Sequence, residues 1–261
     1  MRYILHIFFG MLLISLISSC ASPKDVLYFQ DLQVDTSLHN VVNYEIEFEA
    51  GDMIYITVSG ADLMAVQPFN LPVINLNPAD GKASGQVMMQ SYLVHKDGTI
   101  DFPLLGKIQV AGKTKLHLRE HLLIRLKEYV NDPIVNISMA NFRVTVLGDV
   151  AKPGTFSILN DKITLLEAIG MAGDLQITGK RDNIMVIREE SGDKKIFRVD
   201  LREGNILNSP VYYLKQNDVV YVEPNKAKVN SSSYSANSGI IISAATLLVT
   251  IFSIILNIIL K

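Results

Sequence analysis

Tyr44 to Ser59 reads YEIEFEAGDMIYITVS. In its first six residues Tyr44, Ile46 and Phe48 alternate with Glu45, Glu47 and Glu49, the period-two pattern of a strand with one wet face. Ala50, Gly51 and Asp52 make a turn, and Met53 to Ser59 follows as a second strand rich in β-branched residues. The three glutamates have a wet outer face as their ordinary explanation. Pairing with a basic surface of a neighbouring subunit is the alternative.

Downstream, Gly60 to Gln90 loses all periodicity among Pro68, Pro72, Pro78, Gly81 and Gly85, which predicts a long loop. Tyr92 to His95 and Thr99 to Phe102 then flank Asp97-Gly98, a hairpin signal. Pro103 to Gly106 turns the chain into Lys107 to Val110. Thr114 can cap a helix from about Lys115 to Val130, stopped by Asn131, Asp132 and Pro133. Leu116, Leu123, Leu126 and Val130 form its expected apolar stripe, with Leu122 and Tyr129 beside it. Ile134 to Met139 alternates again and should return as a strand.

A second unit starts near Phe142. Phe142 to Leu147 is a strand, and Lys152-Pro153-Gly154 turns into Thr155 to Leu159. Thr164 to Glu167 is a capping box on a short helix, Leu165 to Ala172, with Gly173 placed to end it. Asn183 to Arg188 and Lys195 to Leu201 pair around 191–193, and Tyr212 to Leu214 with Val219 to Val222 complete the sheet. The fold class is α+β, with one domain over 44–141 and a second over 142–225.

The two ends differ from this middle. Residues 1–19 read as a secretory signal, with Arg2 followed by an apolar run. Ile17-Ser18-Ser19-Cys20 resembles a bacterial lipobox, which makes Cys20 the expected lipidation site. As the chain's sole cysteine it has no disulfide partner within it. Ala21 rather than Asp after it favours the outer membrane. Residues 20–43 are expected to be an extended, lipidated lead. A Ser/Asn-rich linker over 226–238 delivers the chain to its last stretch, 239–261.

That stretch carries about 22 uncharged residues before Lys261, roughly 33 Å of helix and enough to span a bilayer core. Gly239, Ser243, Thr246, Thr250, Ser253 and Asn257 recur at gaps of four and three. At ~100° per residue they fall within an arc of about 80°. Such a stripe suits a helix facing neighbouring helices or water, and so self-assembly within a membrane. A single-pass anchor with tolerated Ser and Thr stands as the alternative.

Composition sets few other limits. A net charge of −2 gives no electrostatic reason to expect nucleic acid. Mean hydropathy of +0.26 is raised by the two apolar ends. His117 to His121 (HLREH) matches H-x-x-E-H, in which His117 and His121 one turn apart hold zinc and Glu120 poises a water. The motif is short, and the enzymes that use it need a further carboxylate in a much larger fold. A solvated helix face explains it better, and no metal, cofactor or catalytic residue is expected. Phosphate loops and nucleophile elbows are absent from the sequence.

Several motifs in order carry a resemblance. Ile46 to Val58 (IEFEAGDMIYITV) looks like the opening of the bacterial polysaccharide export domain. Asp97 to Gly106 (DGTIDFPLLG), Gly112 with Thr114, and Asp132 to Val135 (DPIV) are similar to its later motifs. Val146 to Val150 (VLGDV), Pro153-Gly154 and Thr164 to Gly173 resemble the SLBB β-grasp module that follows. The chain thus resembles the Wza-type outer-membrane polysaccharide export lipoproteins, of the kind common in Bacteroidetes. The resemblance implies an octameric ring of this chain, periplasmic domains stacked around a cavity, and C-terminal helices forming a barrel through the outer membrane. It implies export of capsular or exopolysaccharide with an inner-membrane co-polymerase, often a tyrosine kinase, and membrane lipid as a further partner. It makes the chain a conduit and not an enzyme, with a periplasmic sugar-binding lipoprotein as the alternative. One SLBB-like unit is visible where the best-known member has two, which implies a shorter tunnel.

Overall fold

A computed structural model of the chain describes residues 23–32, 45–73, 88–190, 192–233 and 238–259. The expected signal sequence, Cys20 and the second half of the lead lie outside them. From β1 (Met53–Ser59) the chain makes a short helix α1 (Leu63–Val66) and a ribbon of β2 (Pro72–Val73) with β3 (Met88–Met89). It continues through β4 (Ser91–Leu93), β5 (Thr99–Phe102), β6 (Gly106–Gln109), helix α2 (Lys115–Leu126) and β7 (Ile134–Met139). The sheet has the order β4-β1-β7, antiparallel throughout. Alternation puts Ile54, Ile56 and Val58 of β1 beside Val135 and Ile137 of β7 on one face. Leu118, Leu122 and Leu126 of α2 close that face into the first core.

Four expectations for this domain change. Residues 45–49 form no strand; Glu47 makes an isolated antiparallel bridge with Thr114. Phe48 is instead buried at the start of α2, giving its N–H to the Lys113 carbonyl and taking that of Gly112. Thr99–Phe102 pairs with Gly106–Gln109 and not with 92–95. The Asp97-Gly98 turn does form, with Asp97 accepting from the Thr99 N–H at 3.0 Å, but 91–93 are drawn onto β1. The loop over 60–90 is anchored where it is described. Asp62 caps α1, Phe69 is fully buried, and Asn70 exchanges two hydrogen bonds with the Val58 backbone. Finally, α2 ends at Leu126, and its buried row is Leu118, Leu122, Leu126 and then Val130, while Leu116 stays 41% exposed. The sheet selects a straight i, i+4 row, which the composition of the helix alone leaves undecided.

The second domain holds β8 (Arg143–Gly148), β9 (Gly154–Ser157), β10 (Ile163–Thr164), helix α3 (Leu165–Met171), β11 (Gly179–Glu190), β12 (Asp193–Val199), β13 (Tyr213–Leu214) and β14 (Val219–Pro224). The larger sheet runs β12-β11-β14-β8-β9, with β14 and β8 parallel. Val144, Val146, Ile184, Val186, Val220 and Val222 form its buried face, against Leu165, Ala168 and Ile169 of α3. Thr164 and Glu167 complete the capping box, at 2.7 and 3.1 Å. Gly148 stands at φ +92°, and a Cβ there would lie 2.0 Å from the Val222 carbonyl oxygen, so only glycine lets β8 approach β14. Arg188 grips Asp218 through a fork at 2.6 to 3.2 Å, both fully enclosed. Burial pushes the Asp218 carboxyl up while the guanidinium works against it.

Two segments expected to be loose are docked on this domain. Residues 23–32 form a strap. Phe29 and Gln30 donate N–H groups to the carbonyls of Leu201 and Arg202, and Asp31 accepts from the Gly204 N–H at 2.6 Å. Tyr28 and Phe29 pack on the second core. Residues 226–233 of the expected linker are helix α4 (Lys226–Ser233), and Lys228 reaches back to Asp149. The chain then enters α5 (Ser238–Ile259). None of the described α5 side chains belongs to either core. Among the described residues no helix is long and apolar enough to cross a membrane. The expectation for 239–261 is therefore met as to helix and not as to span: Ile240, Ile241 and Ile242 are among the α5 residues whose side chains lie outside the description.

Candidate functional site

A cleft of about 520 Å³ opens where the two domains meet. Its floor is β7, an edge strand with its outer backbone side unpaired within the sheet. One wall is the first turn of α2, placed there because Thr114 caps the helix by accepting from the His117 N–H. This turn presents Lys115, Leu116 and Arg119. The opposite wall is Asp161 and Lys162 of the second domain, and Lys115 donates to Asp161 at 2.7 Å across the gap. Thr57, Asn136 and Ser138 add hydroxyl and amide groups to the lining. Ile46, Phe48, Val135, Ile137 and Met139 line it as well, so the cleft offers apolar surface beside hydrogen-bonding and charged groups. Beside the cleft Asn141 joins the domains: its side chain accepts from the Met53 N–H at 2.9 Å, and its carbonyl accepts from Gln216 at 2.7 Å.

The residues singled out in the sequence fall elsewhere. Cys20 lies outside the described residues, and of Gly239 and Asn257 only the helical backbone lies within them. Ser243, Thr246, Thr250 and Ser253 are exposed on α5, and so are Leu247, Val249, Ile251, Ile254 and Ile258 around them. The Thr250 hydroxyl donates within its own helix, to the carbonyls of Thr246 at 2.7 Å and Leu247 at 2.9 Å. On α2, His117 and Glu120 are exposed and His121 is half-buried, with its Nδ1 unpaired. Burial, then the charges of Lys113 and Arg125, push the His121 imidazole below its ordinary range. Among the described residues no three His, Cys, Asp or Glu side chains stand together to hold a metal.

Sequence reasoning missed the cluster that fastens both ends of the chain to the second domain. Asp149, at the end of β8, accepts from the Thr178 hydroxyl at 2.5 Å and from Lys228 of α4. Burial works upward on this carboxyl, yet the Lys228 ammonium and the Thr178 hydroxyl hold it below the usual carboxylate range. Nearby, Tyr28 of the strap donates to Asp174 at 2.5 Å and lies over Arg181. Burial first, then Asp174, push the Tyr28 hydroxyl well above its ordinary range. The available signal was the apolar run Val26-Leu27-Tyr28-Phe29 within the lead. For Lys228 there was none.

Comparison with known proteins accords with the two cores. Residues 40–140 match the polysaccharide biosynthesis/export protein family model, and residues 142–222 match that of the SLBB domain. The chain is 30% identical over 145 residues to the EPS I polysaccharide export outer membrane protein EpsA of Ralstonia solanacearum, covering 54% of this chain and 38% of that protein. It is 35% identical over 108 residues to EpsA of Ralstonia nicotianae, covering 40% of this chain and 28% of that one. It is 34% identical over 64 residues to the capsule polysaccharide export protein BexD of Haemophilus influenzae, covering 24% and 16%. The matches thus span well under half the length of each relative. An export-family domain and an SLBB domain thus follow one another in this chain, in the order that the Wza-type resemblance implied, and the relatives matched are polysaccharide export proteins.

Proposed function

We propose that the chain is one subunit of a ring, octameric in the simplest case, that conducts capsular or exopolysaccharide across the outer membrane. The observation that carries this reading is the succession of an export domain and an SLBB domain in a chain related to outer-membrane export proteins. Cys20 is lipidated, the two domains stand in the periplasm, and α5 enters the membrane beside its copies. Its apolar sequence supports that role, and so does the exclusion of its described side chains from both cores. The stripe from Gly239 to Asn257 then faces the lumen or the seam between helices. The ring is a passive conduit without catalysis of its own. Synthesis and an inner-membrane co-polymerase or tyrosine kinase supply direction. Extraction in mild detergent followed by particle imaging tests this: a ring with a through-hole is expected, and a monomer at useful concentration overturns it.

One observation favours a second reading, a periplasmic sugar-binding lipoprotein whose last helix is a simple anchor. The Thr250 hydroxyl is already satisfied inside α5, so this position needs neither water nor a partner helix. Cysteines placed at Thr250 and at Ile254 separate the two. Faster labelling at Thr250 by a water-soluble reagent supports the conduit, and equal labelling supports the anchor.

A further inference from the structure

The two ends that the proposed function ties to a membrane leave the second domain from the same place. The first turn of the strap, Pro23–Asp25, lies against β11, with Asp25 within 3.7 Å of Arg202. At the start of β11, Gly179 pairs with Pro224, and the next residue, Asn225, donates its N–H to the Thr178 carbonyl at 2.7 Å before α4 begins. The loop over 174–178 stands between these two exits. Asp174 holds Tyr28 of the strap on one side, and Thr178 shares Asp149 with Lys228 of α4 on the other.

The outward side chains of this rim include three that are apolar. Leu27 is 57% exposed, Ile177 69% and Val229 51%, each on one of the three segments just described. Lys24 and Lys226 are exposed on the same segments. The tethers beyond the rim are short. Cys20 is three residues from Pro23, a reach of about 10 Å, and α5 starts five residues after the end of α4.

We propose that this rim, Leu27 with Ile177 and Val229, is a docking surface for a bilayer, entering the boundary between headgroups and acyl chains where both ends are anchored. The proposal rests on the membrane reading above. Short tethers hold the rim close to the lipid, and branched apolar side chains in that position lose contact with water on entering the interface. The two lysines suit an anionic headgroup layer.

The chain contains no tryptophan, so a single introduced one reports its own surroundings. Full-length Ile177→Trp, Leu27→Trp, Leu247→Trp and Ile124→Trp would be reconstituted in phosphatidylethanolamine–phosphatidylglycerol vesicles, with bromine placed near the headgroup or deep in the acyl chains. Ile124 is 70% exposed on α2 of the other domain, and Leu247 is 60% exposed on α5. The expected result is loss of emission to shallow bromine at 177 and 27, loss to deep bromine at 247, and none at 124. Quenching at 247 with none at 177 or 27 overturns the rim while the membrane helix stands. A blue shift at 177 without quenching overturns it too, in favour of contact with a second copy of this chain. No quenching at any position overturns both the rim and the membrane reading beneath it.

Discussion

Glu190 closes the β11–β12 hairpin by accepting from Lys195 at 2.6 Å and from Lys215 at 2.9 Å. These two bonds, Lys195 first, lower its carboxyl from 4.5 to about 2. A carboxylate depressed in the folded state adds stability that is fully present above pH 4.5 and is lost as pH falls towards 2. Glu190→Gln should therefore be less stable than the parent by about 1 kcal/mol at neutral pH, the side chain being partly solvated. The gap should close across that acid window. Denaturant titrations of both proteins at several pH values read the difference directly, and a gap that persists in acid denies the ion pairs their role. The hairpin itself was legible in the sequence, from its turn residues and flanking strands. The lysine from residue 215 was not, because it comes from a loop 25 residues further on.

Helix α2 shows how an element can be foreseen while its orientation is not. Thr114 and the Asn-Asp-Pro run place it, since caps and breakers act locally. The stripe over 116, 123, 126 and 130 shares Leu126 and Val130 with the row that is buried, 118, 122, 126 and 130. Only the sheet beneath decides between them. Leu122→Ala should cost about 2–5 kcal/mol, as a fully buried side chain leaves a cavity. Ile124→Ala, 70% exposed, should change stability by no more than about 0.5 kcal/mol. Thermal melts of the two variants check this, and similar losses in both would return the helix to the other face. The same limit governs residues 45–49: their alternation is real, with Phe48 buried and Glu47 and Glu49 exposed, but their backbone pairs with residues 112–114 and not with a strand.

For the whole molecule, the described core residues fall into two clusters that include none of the described side chains of α5. A chain ending at Ser233 should thus keep a cooperative melt and the hydrogen-exchange protection of β1 and β11. Loss of that melt would mean that α5 is part of the fold and not a tether to it. The joint between the domains is lighter than either core. Among the described residues it includes the packing of Ile46 and Met139, the two bonds of Asn141 and the half-exposed Lys115–Asp161 pair. Surface pairs of that kind contribute about 0–1 kcal/mol.

The sequence by itself determined the local chemistry: strands Met53–Ser59 and Ile134–Met139, the Thr164–Glu167 cap, the glycine turns, and the apolar last helix. Each depends on neighbours a few residues away, through periodicity, capping or backbone freedom. Tertiary structure alone decided which edges pair, which face of α2 is buried, and that the lead and a Ser/Asn linker are docked on the second domain. Those outcomes depend on partners outside the segment itself, 79 residues off for Lys228 on Asp149 and 146 for Tyr28 on Asp174, and a spacing in the chain carries no record of a distance in space.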